Sequence, residues 1–346
     1  MEFRALGGTG VRVSSYSLGT VNFGPWGNDD EGECTRLVHE ALDAGVNLID
    51  TADVYGGGRS EQILGRALKG RRQDVVLATK FHNPMGEGVN QRGNSGLWIT
   101  RAIEGSLRRL RTDHIDLYQA HRPEPSTDVE ETLSALTDLV REGKIRYIGS
   151  TTFPAPLLLE ALRVSERGGL ERFAAEQAPY SIFVRHIEPD VLPISQRHGL
   201  GVMAWSPLAG GWLTGKYRRG QDVPSDSRGG RGLMPFMAPR FDLTLPGNQR
   251  KLDLLERLNE VAGQAGLDLT HMALAFVLAH PAVSSVIVGP RTPDQLRELL
   301  AGADARLDTE TLDAIDEIVP PGTTLNEADR GWTPPWMAKE ARRSSG

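Results

Sequence analysis

A single cysteine, Cys34, stands in a chain of 346 residues. That excludes an intramolecular disulfide, and with it the small secreted scaffolds that depend on such staples. Long apolar runs are missing too, since no stretch approaches the ~20 apolar residues that a membrane span needs. The opening Met-Glu-Phe-Arg-Ala-Leu has neither the basic stretch nor the apolar core of a signal peptide. A cytoplasmic protein is expected. Positive charge is in short supply: 39 Lys plus Arg face 45 Asp plus Glu, for a net charge of −6. Neither nucleic acid nor an anionic membrane is therefore expected as a partner. The eight histidines show no His-Glu-x-x-His and no Cys/His spacing suited to zinc, so no metal is expected. No Gly-x-Gly-x-x-Gly run is present, so the dinucleotide fingerprint of an open sheet is absent.

What is present is a rhythm. Residues 2–14 alternate apolar and polar residues around Gly7-Gly8-Thr9-Gly10, a hairpin signal. Short apolar strands then alternate with amphipathic helical patterns. The strands are predicted at Tyr16–Thr20, Asn47–Thr51, Val75–Lys80, Ile115–Ala120, Arg146–Thr151, Phe173–Gln177, Val202–Ser206 and Ser285–Gly289. Near-continuous apolar strands separated by helices imply a parallel sheet covered by helices. Eight such units without a polar break predict an α/β fold, a closed (β/α)8 barrel, as one domain over residues 1–346. Thr127-Asp-Val-Glu130 is a capping-box pattern, and Gly45 and Gly143 stand where helix-ending glycines belong. The rhythm breaks twice, in a Gly-, Pro- and Arg-rich loop over 209–249 after the seventh strand and in a tail over 320–346. A loop that long in a barrel is expected to be functional, and Arg342–Gly346 are expected to fray. Cys34, at the start of an amphipathic helix, is expected to be structural.

Barrel enzymes work at the carboxyl ends of their strands. Polar residues there are the ones to collect. The second strand delivers Asp50 and, five residues on, Tyr55 before Gly56-Gly57-Gly58; the third ends on Lys80; His121 follows the fourth at once. A free phenol with a pKa near ~10 is a sluggish acid at neutral pH, and a nearby ammonium would bring it closer to working range. Asp50 would hold that ammonium and compensate its burial. A neutral His121 would orient a carbonyl oxygen by donating a hydrogen bond. Such a set suits carbonyl reduction, in which an oxygen is protonated while its carbon is attacked. Asp53 reads as a solvated rim charge. Gly210-Gly-Trp-Leu-Thr-Gly215-Lys216-Tyr217 almost spells a P-loop, but Tyr217 cannot replace the Ser or Thr that binds Mg²⁺.

Asp50-Thr-Ala-Asp-Val-Tyr55-Gly, Ala78-Thr-Lys80 and Tyr118-Gln-Ala-His121-Arg-Pro resemble the tetrad motifs of the aldo-keto reductase superfamily in order and spacing. The resemblance runs from Phe3 to about Glu317. It implies reduction of an aldehyde or ketone with NADPH, with Asp50, Tyr55, Lys80 and His121 as catalytic residues. It also implies a cofactor site. Thr20, Thr151, Thr152 and Gln177 fall where the family holds the nicotinamide end, although Thr152 offers a hydroxyl where an amide is common. Trp205 would stack on the nicotinamide. Ser206, Leu208 and Gly210 match the loop over the pyrophosphate, and Lys216 and Arg228 supply cations. Gly289, Arg291, Gln295 and Glu298 match the adenosine site, with Leu299 in place of a frequent asparagine. Phe23, Trp26, Trp98, Phe153, Phe183 and residues 220–248 are the expected substrate walls.

Two alternatives stand beside this reading. Trp205-Ser-Pro-Leu and Gly215-Lys-Tyr217 resemble the branch that serves as cofactor-bound regulatory subunits of potassium channels, which tends to carry Asn at the position of His121. A reductase of keto-sugars is the other. The sequence leaves the natural substrate, reaction direction and oligomeric state open.

Overall fold

In a computed structural model, which describes residues 1–225, 227–232, 235–337 and 341, two short strands open the chain. These are β1 (Phe3–Ala5) and β2 (Arg12–Ser14), which pair antiparallel. Strand and helix then alternate as β3 (Tyr16–Gly19), α1 (Glu31–Asp43), β4 (Leu48–Asp50), α2 (Arg59–Ala67), β5 (Val76–Phe81) and α3 (Gly96–Leu110). The series continues through β6 (Ile115–Ala120), α4 (Val129–Arg141), β7 (Ile145–Thr151), α5 (Ala155–Gly168), β8 (Phe173–Pro179), α6 (Val191–His198) and β9 (Gly201–Trp205). It ends with α7 (Pro246–Gln264), α8 (Leu269–Ala279), β10 (Val283–Val288), α9 (Pro293–Ala301) and α10 (Thr309–Ile318). Strands β3 to β10 close into a parallel barrel in which β10 pairs with both β3 and β9. This is the (β/α)8 barrel expected from the sequence.

Side-chain alternation along the strands decides what reaches the barrel mouth. Leu48, Ala78, Leu117, Ala175 and Met203 point inward and pack with Leu6 and Val13, so the hairpin plugs the amino end of the barrel. Two residues further along the same strands stand Asp50, Lys80, Gln119, Gln177 and Trp205, which share the inward direction at the carboxyl end. The intervening Ile49, Tyr118 and Ala204 face outward into the larger helix-packed core.

Gly45 and Gly143 take positive φ just past α1 and α4, as helix-ending glycines do. The start of α4 differs from expectation. Its cap is Asp128, whose Oδ1 accepts from the Glu130 amide at 2.9 Å, while the Thr127 hydroxyl turns away to Glu124. Cys34 is fully buried in α1. The 209–249 stretch is more ordered than its composition suggests: it holds 3-10 turns at Ala209–Thr214 and Pro235–Arg240, and α7 begins inside it. The tail is likewise anchored, with turns at Glu327–Arg330 and Pro335–Met337; Arg342–Gly346 lie outside the described residues. Among the described residues, no single helix is long and apolar enough to cross a membrane.

Candidate active site

Strand β4 ends at Asp50, and five residues later the chain turns sharply through Tyr55–Gly58 into α2. Gly56, Gly57 and Gly58 all have positive φ, and a Cβ on Gly58 would stand 2.8 Å from the Arg109 side chain. Only glycines fit this elbow, which swings the Tyr55 ring back over the barrel mouth.

There the Lys80 ammonium sits fully buried between three acceptors. Nζ lies 2.8 and 2.7 Å from the two Asp50 carboxylate oxygens, 2.7 Å from the Thr51 carbonyl and 3.3 Å from the Tyr55 hydroxyl. The Gln177 amide nitrogen donates to Asp50 Oδ1 at 2.7 Å, completing the carboxylate's shell. Asp50 and Tyr55 hold the ammonium charged and raise its pKa, although burial works against them. The phenol departs from expectation. Burial pushes the Tyr55 pKa up, and the opposing pull of Lys80 only partly offsets it.

His121 stands edge-on to the Tyr55 ring, with centroids 5.8 Å apart at 75°. Its Nδ1 lies 2.9 Å from the amide nitrogen of Asn83, which can only donate, so the ring proton belongs on Nε2. Burial, and then the Arg122 guanidinium, hold its pKa well below the usual imidazole range. His121 is therefore a neutral donor at physiological pH.

Asp53 corrects the sequence reading. It is no solvated rim charge: it is fully buried, and among the described residues neither carboxylate oxygen has a hydrogen-bond partner. Burial, reinforced by Glu61, pushes its pKa well above the carboxylate range.

Tyr55, His121 and Asp50 open onto a cavity of about 1100 Å³. Of the residues expected around a cofactor, Gln177, Trp205, Ser206, Leu208, Gly210, Lys216, Arg228, Gly289, Arg291, Gln295 and Glu298 line it. Thr20, Thr151 and Thr152 do not. The Thr20 hydroxyl is buried against the Asp50 carbonyl and Ser60. Thr151 turns its hydroxyl to the His121 carbonyl, and Thr152, at φ +60°, offers its oxygen to Arg122. Among the expected substrate walls, Trp26 lines the cavity, 6.3 Å from Tyr55 ring to ring. Phe23, Trp98, Phe153 and Phe183 belong instead to the core, and Phe153 packs edge-on against Phe173. Position along the chain does not fix which way an aromatic ring faces.

Arg231, Met237 and Arg240, from the 220–248 stretch expected to form a wall, line the cavity, whereas sequence reasoning missed Asn22, Asn83, Arg122 and the tail segment around Gly331 and Trp332. Asn83 and Arg122 each lie just past a strand end, a position that could have drawn notice. The tail gave no such signal. It reaches the cavity because buried Asp329 receives Arg240 Nε and Lys251 Nζ, each at 2.6 Å, and because Gly331 packs on the Trp205 ring. Asp226, Leu233 and Met234, within the 220–248 stretch expected to form a wall, lie outside the described residues.

Cations line the cavity together with the Trp205 ring, among them Lys216, Arg228 and Arg291. Arg228 is half-buried with its Nη2 on the Asn22 carboxamide oxygen at 3.2 Å, and desolvation pulls its pKa down to about 10, a guanidinium short of negative charge. Asn22 in turn donates to the Gly289 carbonyl at 2.6 Å, tying this cation to the end of β10.

The family model described as "Aldo/keto reductase family" matches residues 16–320. The chain is 41% identical over 340 residues to the uncharacterized oxidoreductase YrpG of Bacillus subtilis (strain 168), covering 95% of this chain and 99% of that protein. It is 38% identical over 328 residues to a probable voltage-gated potassium channel subunit beta of Oryza sativa subsp. japonica, covering 92% and 97%. A similarly described protein of Arabidopsis thaliana is 35% identical over 332 residues, covering 92% and 97%.

Proposed function

The chain belongs to the aldo/keto reductase family, and from that premise we propose that it reduces aldehydes or ketones with NADPH. The observation that carries the reading is the position of Lys80 Nζ between the Asp50 carboxylate and the Tyr55 hydroxyl, with His121 facing the same cavity. Bound NADPH supplies the hydride to the carbonyl carbon. Tyr55 gives its proton to the carbonyl oxygen, and the ammonium of Lys80 stabilises the phenolate left behind. Asp50 fixes the ammonium, and Gln177 fixes Asp50. His121, neutral with a proton on Nε2, donates to the carbonyl oxygen and aims it at the phenol. Trp205, Ser206, Leu208, Gly210, Lys216, Arg228, Gly289, Arg291, Gln295 and Glu298 hold the dinucleotide, and the cations among them favour NADPH over NADH.

The relatives described as potassium channel subunits support a second reading, a cofactor-bound regulatory subunit. One experiment separates the two. Steady oxidation of NADPH with 4-nitrobenzaldehyde and a panel of ketones and keto-sugars is expected of the reductase. Tight NADPH binding without turnover across the whole panel would remove the reductase reading and favour the subunit.

A further inference from the structure

We propose that the carbonyl substrate carries an anionic group, a carboxylate or a phosphate, and that Arg122 and Arg240 are the specificity-determining residues that grip it. The inference rests on the reductase reading of the same site. Both guanidiniums line the cavity, and contacts tie both to its reactive end. Arg122 Nη1 donates to the carbonyl of His121 at 2.5 Å and to the Thr151 hydroxyl at 3.2 Å. The Arg240 guanidinium lies over the Trp205 ring, 5.6 Å from its centroid. Arg228, by contrast, is tied through Asn22 to the Gly289 carbonyl just past β10.

Charge at the reactive end does not balance. The hydrogen-bond partners of Arg122 are neutral oxygens, and among the described residues no carboxylate forms an ion pair with it. Glu176 is the acid whose field reaches it. That carboxyl is occupied by the Ser150 hydroxyl at 2.5 Å and the Phe153 amide at 3.1 Å, and burial pushes its pKa up to about 8. At neutral pH it is mostly protonated and supplies little counter-charge. Arg240 shares one carboxylate, Asp329, with Lys251, so two buried cations face one anion. Among the described residues, Arg240 Nη2 is buried without a hydrogen-bond partner. Asp50 cannot help, because Lys80 already takes both its oxygens. Two poorly compensated guanidiniums beside a reaction centre are expensive unless a ligand completes them. A planar guanidinium fork matches a carboxylate or phosphate better than any neutral group.

The test compares kcat/KM, at saturating NADPH, for 2-, 3- and 4-carboxybenzaldehyde against their methyl esters. Glycolaldehyde phosphate against glycolaldehyde forms the second arm. The expected result is a preference of about 10-fold or more for the anion in at least one pair, and the arm that shows it distinguishes carboxylate from phosphate. Arg122→Met and Arg240→Met should each cut that preference about 10-fold, and Arg240→Lys should restore part of it. Turnover of the neutral aldehydes with no anion preferred, or a preference unchanged in both Met variants, would overturn the inference and leave the reductase reading intact. If no aldehyde is reduced, the reductase reading fails, and calorimetry with NADP⁺-saturated protein decides the anion site alone. Binding of 4-(hydroxymethyl)benzoate but not of its methyl ester would then uphold it; equal or absent binding of the two would end it.

Discussion

The Nζ of Lys80 lies 3.3 Å from the phenolic oxygen of Tyr55 and 5.0 Å from the centroid of the same ring. One cation thus sits beside the hydroxyl of the residue proposed as proton donor. Burial raises the phenol's pKa, so the proton stays on Tyr55 through neutral pH. The value of Lys80 is greatest after donation, when a phenolate needs a counter-charge in a site with little water.

Removing only the hydroxyl isolates that role. Tyr55→Phe keeps the ring, its edge contact with His121 and its packing on Trp26, so NADPH binding should stay within a few-fold of wild type. Carbonyl reduction should fall by about 10²- to 10⁴-fold, the usual span of a lost general acid. Fluorescence titration of NADPH alongside single-turnover kinetics checks both halves. Near-normal reduction by the variant would mean that another group donates the proton.

The directions of the His121 and Tyr55 shifts set a pH profile. Reduction needs protonated Tyr55, and a pKa raised above 10 keeps it so until strongly alkaline pH. His121, with its pKa well below 6.5, stays neutral through the mildly acidic range. The kcat/KM for reduction should therefore be flat from about pH 6 to 9, with no inflection near the ordinary imidazole value. An acid limb with midpoint near 6.5 that disappears in His121→Gln would contradict this assignment.

Much of the scaffold was legible because it is local. Each barrel strand is a short apolar run, and period-two alternation puts Asp50 and Lys80 inside once Leu48 and Ala78 are inside. The same rule applies to Gln177 two residues after Ala175. What stayed hidden depends on contacts distant in sequence. Asp53 looks like any polar loop residue until α2 and α3 bring Glu61 and Arg109 against it. Asp329 meets Arg240 across 89 residues and Lys251 across 78, and no local pattern announces either pairing. Phe23, Trp98 and Phe153 resemble pocket walls in position alone, and their rings turn into the helix-packed core because burial there removes more apolar surface from water.

Arg291 opens the turn into α9 and lines the cavity, while its carbonyl accepts from Asn28 at 2.9 Å. The backbone is thus fixed independently of the guanidinium. Arg291→Ala should weaken NADPH binding by about 10-fold or more, in line with loss of one charged hydrogen-bond set to a phosphate. NADH binding should change much less. Parallel titrations of both nucleotides decide it, and equal losses would assign the ribose phosphate to a different cation.

Asp53 yields a prediction about stability rather than turnover. Its folded pKa lies well above the unfolded value of about 3.9, so the folded state binds more protons than the unfolded one across the interval between them. Stability contributed by this group is therefore fully present below the unfolded pKa and declines as pH rises toward the folded pKa. Asp53→Asn keeps the size of the side chain and cannot ionise. The variant should be more stable than wild type at pH 8, by about 1–3 kcal/mol if the cost is that of one poorly solvated buried polar group, with the advantage shrinking toward pH 5. Urea denaturation at the two pH values measures it. A variant equally destabilised at both would mean that the carboxylate is compensated in solution by Arg109, the cation whose field acts most strongly on it.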